Sequence, residues 1–270
     1  MVEIFDDIRK IYAFKAPCGE LAGHVEFFSE SCAADTSRYI GNESFTVKMF
    51  PSWTPTIWIN LGSPYRLATC DGSYTINTDD DVLLLRNTIV ERHNLPTDHI
   101  FTVKFFPGGL EALLDVNQAG LKNKVIAAKT VLPARLIGSL KKADSFEERV
   151  KLLESWLLAN RTWRRKRDHY LNFVRDTIEM YQGSGLKLNN TDLAEKMVTT
   201  SKTVNRYFNR VIGISPKNYF AVLRTRTALT AYVSNRKAFS PTGFGYHDMS
   251  HFYKDVIGFT GQKLSGFYLK

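Results

Sequence analysis

The chain has 270 residues, of which 44% are hydrophobic and 23% are charged, with 17 Gly, 9 Pro and 3 Cys. This composition excludes a disordered or fibrous protein, and the length predicts two domains. No apolar run approaches the ~20 residues that a membrane span needs, and the acidic N-terminus lacks a signal-peptide core. We therefore expect a cytoplasmic protein with no membrane contact. Three scattered cysteines predict reduced thiols, and there is no C-x-x-C pair to hold zinc.

The positive charge is concentrated in the second half of the chain. The formal net charge is +9; residues 1–160 carry 17 Lys and Arg against 20 Asp and Glu, whereas residues 161–270 carry 19 against 7. A near-neutral front half joined to a basic back half is typical of a polyanion-binding module on a carrier domain. A basic domain with no nucleic-acid function has the same composition, so charge alone leaves both interpretations open.

Alternating hydrophobicity in the front half predicts β-strands. Apolar and polar residues alternate at 45–49, 57–61 and 101–105, with the period of two of half-buried strands. Turn-forming residues separate these segments, and no ten-residue helical pattern interrupts them between Ala22 and Phe106. We therefore predict a small antiparallel sheet or barrel.

Helical periodicity begins after residues 107–109. Ser145 and Glu148 form a capping-box pattern, which predicts a helix at 146–159. Its apolar stripe comprises Val150, Leu153, Trp156 and Leu157. The stripe fits packing inside the domain or a helix pair in a homodimer. A basic run at 161–167 predicts a linker, so we expect a β-rich domain with a helical appendage at 1–160 and an all-helical domain at 168–270.

The segment 190–219 predicts two short helices joined by a tight turn. Thr191 and Thr200 are the candidate N-caps. Helical spacing assigns a buried side to Leu193, Ala194, Met197, Val204, Phe208 and Val211. The second helix then presents outward Lys202, Thr203, Asn205, Arg206 and Asn209. These side chains include no acid, and Arg, Lys and Asn donate hydrogen bonds to purine edges in the major groove. The sequence therefore predicts base reading here, in preference to a solvated surface.

This order of residues resembles the DNA-binding domain of the AraC family of bacterial transcription regulators. The residues that carry the resemblance are Leu193, Ala194, Thr200, Lys202, Val204, Arg206, Phe208, GISP at 213–216, Tyr219, Arg224, Ala228, GYHDMSHF at 245–252 and FTG at 259–261. The segments WINLG at 58–62, FPGG at 106–109 and ADSFEERV at 143–150 resemble the front domain of some members. The resemblance covers residues 186–267 for the DNA-binding domain.

The family implies two helix-turn-helix units joined by one long helix, here residues 216–233, with recognition helices in successive major grooves of double-stranded DNA. The second recognition helix is expected over 248–256, capped by Asp248. Its expected base contacts are Met249, Ser250, Tyr253 and Lys254. The expected phosphate contacts are Thr200, Ser201, Lys217 and Arg224. His251 is interpreted as a packed or surface residue rather than a metal ligand.

The second unit departs from the family pattern. Ser240 and Pro241 stand where members carry an Ile-Ala pair, Gly243 follows, and Leu264 stands where members carry a proline. Because Pro and Gly shorten or break helices, we expect this unit to bind DNA weakly or to depend on a partner subunit.

For the front domain, the family implies effector sensing or homodimerisation, and contact with RNA polymerase is a further expectation. The candidate effector-pocket residues are Trp53, Trp58, Arg66 and Phe105, although large aromatic residues are more often part of the core. The alternative is a cupin-like small-molecule-binding protein or enzyme with a non-specific basic nucleic-acid-binding tail. The six histidines form no H-x-H pair and no catalytic motif is present, so we predict neither an enzyme nor a cofactor or metal site. The operator, and the choice between activation and repression, stay open.

Overall fold

The computed structural model describes residues 1–5, 8–161 and 165–267, without the side chains of residues 165–167. A β-rich front region with attached helices is followed by a helical region, which confirms the predicted fold class. The predicted linker at 161–167 lies partly outside the described residues. Among the described helices, none combines the length and the apolar character that crossing a bilayer requires.

The strands of the described residues form two antiparallel sheets. They are β1 (Tyr12–Lys15), β2 (Val25–Ser31), β3 (Phe45–Met49), β4 (Pro55–Asn60), β5 (Tyr65–Thr69), β6 (Gly72–Ile76), β7 (Val82–Leu85), β8 (Val90–Asn94), β9 (Ile100–Phe105) and β10 (Val125–Ala127). One sheet has the order β1-β2-β9-β4-β7-β10 and the other has the order β3-β8-β5-β6. The predicted antiparallel sheet is thus a pair of sheets.

The two central strands of the larger sheet are covered on both faces. Strand β3 alternates between buried and half-buried residues as predicted, but every residue of β4 and β9 is buried. Trp58 and Ile100 pack towards the smaller sheet, whereas Ile57 and Phe101 pack in the core that contains the helices. The prediction of half-buried strands is therefore wrong for β4 and β9, because the smaller sheet covers the face that was expected to be solvated.

The helices are α1 (Ala33–Ile40), α2 (Gly109–Leu114), α3 (Ala134–Lys142), α4 (Phe146–Asn160), α5 (Arg165–Gly183), α6 (Asn190–Lys196), α7 (Ser201–Val211), α8 (Pro216–Ser234) and α9 (Met249–Thr260). Short 3-10 helices lie at Ile8–Lys10, Gln118–Leu121, Ala128–Thr130, Pro241–Phe244 and Leu264–Phe267. Helix α1 lies within the region where only strands were predicted.

Helix α4 begins at the predicted cap. The Ser145 hydroxyl accepts the Glu148 amide at 3.2 Å, while the Glu148 carboxylate accepts the amide of Asp144 at 2.9 Å instead of that of Ser145. Val150, Leu153 and Leu157 of the apolar stripe are buried and belong to the core of the same chain. The stripe is therefore used inside the domain, which removes the apolar face that favoured a helix pair with a second copy.

One core connects the front region with the helical region. Leu110 and Leu113 of α2 belong to the same cluster of buried residues as Val174 of α5 and Val211 of α7. At Gly108, with φ +80°, a Cβ atom would lie 3.0 Å from the Leu171 side chain and 3.1 Å from that of Val211. A glycine is needed here, both for the backbone conformation and for the close approach of the helices.

Candidate nucleic-acid interface

The first helical unit is built from α5, α6 and α7. The Thr200 hydroxyl accepts the amide of Thr203 at 3.2 Å, so Thr200 caps α7 as predicted. Helix α6 is capped by Asn189, whose side chain accepts the amides of Thr191 at 2.8 Å and Asp192 at 3.1 Å. The prediction that Thr191 is the cap is therefore wrong, because α6 begins at Asn190 and Asn189 completes a capping box with Asp192.

The predicted inner and outer faces of this unit are found in the structure. The side chains of Leu193, Ala194, Val204, Phe208 and Val211 are buried, and that of Met197, at the end of α6, is half-buried. On the outer face of α7, Lys202, Asn205, Arg206 and Asn209 are exposed. Thr203 is half-buried, and its hydroxyl lies 3.1 Å from that of Thr200.

Two contacts organise the outer face of α7. The Asn209 side-chain amide donates to the Asn205 carbonyl at 2.8 Å and to its side-chain oxygen at 3.2 Å. The Arg206 guanidinium lies 5.0 Å from the centroid of the Tyr207 ring. The result is an exposed row of hydrogen-bond donors that includes no carboxylate.

The end of α7 is fixed to the front domain. Both carboxylate oxygens of Glu111 accept from the Arg210 guanidinium, at 2.8 and 3.2 Å, and the Asn117 amide donates to the Arg210 carbonyl at 3.0 Å. The buried Gln118 amide donates to the Ile212 carbonyl at 3.3 Å. At Gly213, with φ +92°, a Cβ atom would lie 3.1 Å from the Cα of Ala119. These contacts leave the N-terminal part of α7 as its open end.

The second helical unit follows α8, which begins at Pro216 and ends at Ser234, one residue beyond the predicted end. Its first helix is reduced to the 3-10 turn Pro241–Phe244, as the positions of Pro241 and Gly243 predicted. The Asp248 carboxylate accepts the amide of His251 at 2.8 Å and caps α9, which also agrees with prediction. Helix α9 continues to Thr260, four residues further than expected, with Val256 and Phe259 buried on its inner side.

The outer face of α9 is less polar than that of α7. Ser250 and Lys254 are exposed, whereas Met249 and Tyr253 are half-buried against the core of this unit. The Tyr253 hydroxyl lies 3.5 Å from the hydroxyl of Tyr232. Ile257, which the sequence analysis did not single out, is 41% exposed. His251 is half-buried, with its ring 5.1 Å from that of Tyr246.

The residues expected at phosphates fall into two groups. Thr200, Ser201 and Lys217 are exposed. The Arg224 guanidinium instead donates to the Asp255 carboxylate of α9 at 3.0 Å and lies 4.6 Å from the Tyr246 ring centroid. Arg224 therefore fastens α8 to α9 and positions the second unit.

The four candidate effector-pocket residues do not come together. Trp58 lies between the two sheets, Trp53 and Phe105 lie in the core on the opposite face of the larger sheet, and Arg66 is exposed on β5. Trp58 nevertheless lines a cavity of about 210 Å³, whereas Trp53 and Phe105 are core residues.

A partly buried ionic cluster lies between the front domain and α8, and sequence reasoning did not find it. The Glu3 carboxylate accepts from the guanidinium groups of Arg86 and Arg226, each at 2.5 Å, and the Lys104 ammonium donates to Glu26 at 3.0 Å. Its members lie far apart in sequence and have no spacing that marks them. We call Glu3, Glu26, Arg86, Lys104 and Arg226 the junction cluster.

Two cavities share three members of the junction cluster. One, of about 320 Å³, lies between the front domain and helices α5 and α8; the other, of about 210 Å³, lies towards the smaller sheet. Glu26, Lys104 and Arg226 line both. The cluster is therefore the polar partition between an interdomain cavity and a cavity within the front domain.

Burial and charge act in opposite directions in this cluster. Burial on its own raises the pKa of Glu3, but the charges of Arg226 and Arg86 outweigh it and hold that pKa well below its ordinary value. For Lys104, burial dominates over the attraction of Glu26, and its pKa is lowered to about 8. The cluster thus holds a carboxylate that stays ionised and an amine that is poorly compensated.

The fold and the exposed face define a two-domain protein in which a β-sandwich is packed against two helical units. No protein-family model matches the chain, and no curated protein matches it in sequence. Among solved structures it is similar to ToxT from Vibrio cholerae O395, with 11% identity over 83% of this chain and 96% of that chain and a TM-score of 0.48. ToxT from strain SCE256 with a bound unsaturated fatty acid gives 13% identity, 84% and 91% coverage and a TM-score of 0.47. The AraC-like transcriptional activator CuxR gives 13% identity, 87% and 90% coverage and a TM-score of 0.32.

Proposed function

We propose that this protein is a sequence-specific DNA-binding transcription regulator of the AraC type, with α7 as the helix that reads base pairs. The observation that carries the proposal is the exposed, acid-free face of α7, formed by Lys202, Asn205, Arg206 and Asn209. Arg and Lys recognise guanine and Asn recognises adenine in the major groove. The cationic excess of residues 161–270 supplies the attraction to the phosphate backbone.

The contacts that hold the C-terminal end of α7 support an arrangement in which its N-terminal end enters the DNA groove. Its C-terminal end is fixed by Glu111 and Asn117, while the end that begins at Ser201 is exposed. In helix-turn-helix proteins the N-terminal residues of the recognition helix contact the base edges. The exposed hydroxyls of Thr200 and Ser201 then face the adjacent phosphates, with Lys217 as a third phosphate contact.

For the front domain we propose effector sensing at the junction cluster. Three cationic side chains face two carboxylates there, so the cluster carries a positive excess beside cavities of about 320 and 210 Å³. This arrangement favours a small anionic molecule, whose charge would compensate Lys104. Because Arg226 lies on α8, such a molecule would act directly on the helix that joins the two units. Homodimerisation and contact with RNA polymerase belong to the same proposal as expectations.

Selection of bound duplexes from a random library tests the main proposal. The wild-type chain is expected to enrich one motif, and Arg206→Ala should relax it and weaken binding to it by ~1–3 kcal/mol, more than Lys254→Ala does. The alternative, a sequence-blind basic module, predicts steep salt dependence and no enriched motif. Equal losses for the two variants, or no motif, would refute base reading by α7.

Thermal-shift titration tests the sensing proposal separately. Small carboxylic acids are expected to stabilise the wild-type chain and not Lys104→Met. A set of neutral analogues of the same shapes is the matched control. If acids and neutral analogues shift both proteins equally, an anionic effector at the junction cluster is ruled out.

A further inference from the structure

A cavity opens on the second helical unit, between the end of α8, the outer side of α9 and the segment after it. Its volume is about 510 Å³. Arg236 and Lys263 both line it, together with Tyr253, Ile257 and Ser265. None of the described residues that line it is acidic. A cavity with two cationic side chains in its lining is suited to a negatively charged ligand.

The side chains of this cavity combine charge with an apolar wall. The Arg236 guanidinium lies 5.6 Å from the centroid of the Tyr232 ring, which holds the guanidinium beside the cavity. Ile257, which is 41% exposed, and the buried Leu264 also line the cavity. A phosphodiester backbone presents this combination, an anionic phosphate next to an apolar sugar, whereas a free phosphate ion offers nothing to Ile257.

The position of the cavity in the unit agrees with such a ligand. Arg236 lies in the loop that follows α8, and Lys263 lies just after the C-terminal end of α9. In homeodomains, which are three-helix relatives of this arrangement, the loop between the first two helices and the C-terminal end of the third contact the DNA backbone. Both cations of the cavity therefore stand where backbone contacts are made.

The two units differ at this place. In the first unit, the segment after the recognition helix is covered by the front domain, since Gly213 packs against Ala119 and the Ile212 carbonyl accepts from Gln118. In the second unit the segment after α9 also meets the front domain, with Gly261 beside Ile89 and Phe267 stacked on Phe5, but Lys263 and Ser265 are exposed. The outer face of α9, in contrast, offers Ser250 and Lys254 as its exposed polar side chains where α7 offers four.

We propose that the second unit binds the DNA backbone through this cavity, with Arg236 and Lys263 on phosphates and Ile257 against a deoxyribose, and that α9 contributes little to base discrimination. This inference rests on the proposed function of α7 as the reading helix. Under this proposal the first unit supplies sequence specificity, and the second unit supplies affinity that is independent of sequence. The proposal also accounts for the loss of the first helix of the second unit, because backbone binding needs less exact placement of α9 than base reading does.

The salt dependence of DNA binding by the full chain tests this proposal. Anisotropy titrations on the selected duplex and on a scrambled duplex would compare the wild type with Arg236→Ala/Lys263→Ala. Loss of two phosphate contacts should reduce the slope of log K against log salt by about 2, at about 0.9 per phosphate. The loss of affinity should be the same on both duplexes. The control is Lys142→Ala/Lys151→Ala, which removes the same charge from two exposed positions in the front domain.

The outcomes separate this inference from the proposed function. A slope of the Arg236→Ala/Lys263→Ala variant equal to that of the control variant overturns the backbone contact. A selective loss on the chosen duplex would mean that the second unit reads bases. If the wild type prefers no sequence, the function proposed for α7 fails, whereas the slope still reports the contacts of Arg236 and Lys263. Melting temperatures equal to that of the wild type would confirm that both double variants fold.

Discussion

The guanidinium of Arg210, in the last turn of α7, is bound by both carboxylate oxygens of Glu111 in α2, at 2.8 and 3.2 Å. The Glu111 side chain is 4% exposed, whereas that of Arg210 is 46% exposed. The candidate reading helix is thus joined to the front domain by a bidentate ion pair, the strongest form of this interaction. The pair sets the position of α7 from a residue 99 places away in the sequence.

Arg210→Ala is expected to destabilise the protein, because it removes the cation that pairs with the buried Glu111 carboxylate and leaves the Asn117 side-chain amide as a donor to it. Since Arg210 is half exposed, we expect a moderate loss of about 1–2 kcal/mol in the free energy of unfolding by urea. Arg206→Ala, one turn earlier on the exposed face, is the matched control and should leave stability unchanged. Equal stability of the two variants would show that the Glu111 pair does not hold α7.

Glu3→Gln is expected to weaken the junction between the domains. The Glu3 pKa lies below the ordinary 4.5, so its carboxylate stabilises the folded state above that pH and loses this effect as the pH falls through and below 4.5. At pH 7 the variant leaves the buried guanidinium of Arg86 and the half-buried one of Arg226 without this carboxylate, which should cost about 3 kcal/mol.

Urea unfolding between pH 3 and pH 7 measures this effect. The wild type should lose stability towards acid more steeply than Glu3→Gln does. Glu147→Gln, at a side chain that is 60% exposed and paired with Lys15, serves as the control. Parallel curves for the wild type and Glu3→Gln would contradict the assignment.

Lys104→Met should change the alkaline side of the stability curve. With a pKa lowered to about 8 from 10.5, Lys104 loses its proton in the folded state before it does so in the unfolded state. The unfolded chain then binds more protons between pH 8 and 10.5, so the contribution of Lys104 to stability rises with pH in that range, by about 3 kcal/mol.

The variant lacks this titration, so its unfolding free energy should not show the rise. The control is Lys142→Met at an exposed position, which should keep the wild-type profile. The quantity to measure is the difference in the free energy of unfolding between the wild type and Lys104→Met across pH 8–10.5. Tyrosine ionisation is common to both proteins and cancels in this difference. A constant difference would mean that Lys104 stays charged in the folded protein.

Val198→Gly is expected to stabilise the protein. Val198 lies in the turn between α6 and α7 with φ +50°, and its side chain is 92% exposed. A β-branched residue in the left-handed region is strained by roughly 1–2 kcal/mol, and glycine removes this strain at a smaller entropic cost. We expect a net gain of about 0.5–1 kcal/mol in thermal or urea unfolding. Val198→Ala keeps the Cβ atom and should gain little, so equal effects of Gly and Ala would argue against backbone strain.

The sequence alone determined the features that depend on neighbours along the chain. The caps at Thr200, Ser145 and Asp248 join residues three positions apart, and helical periodicity correctly separated the buried and exposed sides of α7. Pro241 and Gly243 act on their own backbone. The reduction of the first helix of the second unit to a 3-10 turn therefore followed from them directly. What α7 and α9 bind stays a prediction, because residue pattern describes the side chains and not their ligand.

Only the tertiary structure decided the features that depend on distant partners. Glu3 meets Arg226 across 223 positions, and Glu111 meets Arg210 across 99. The smaller sheet covers one face of β4 and β9 and helices cover the other, which places Phe105 in the core and Trp58 beside the cavity of about 210 Å³. Arg224 was expected at a phosphate and binds Asp255 instead. Ion pairs and covered faces of this kind are selected by the folding of the whole chain, and no local spacing encodes them.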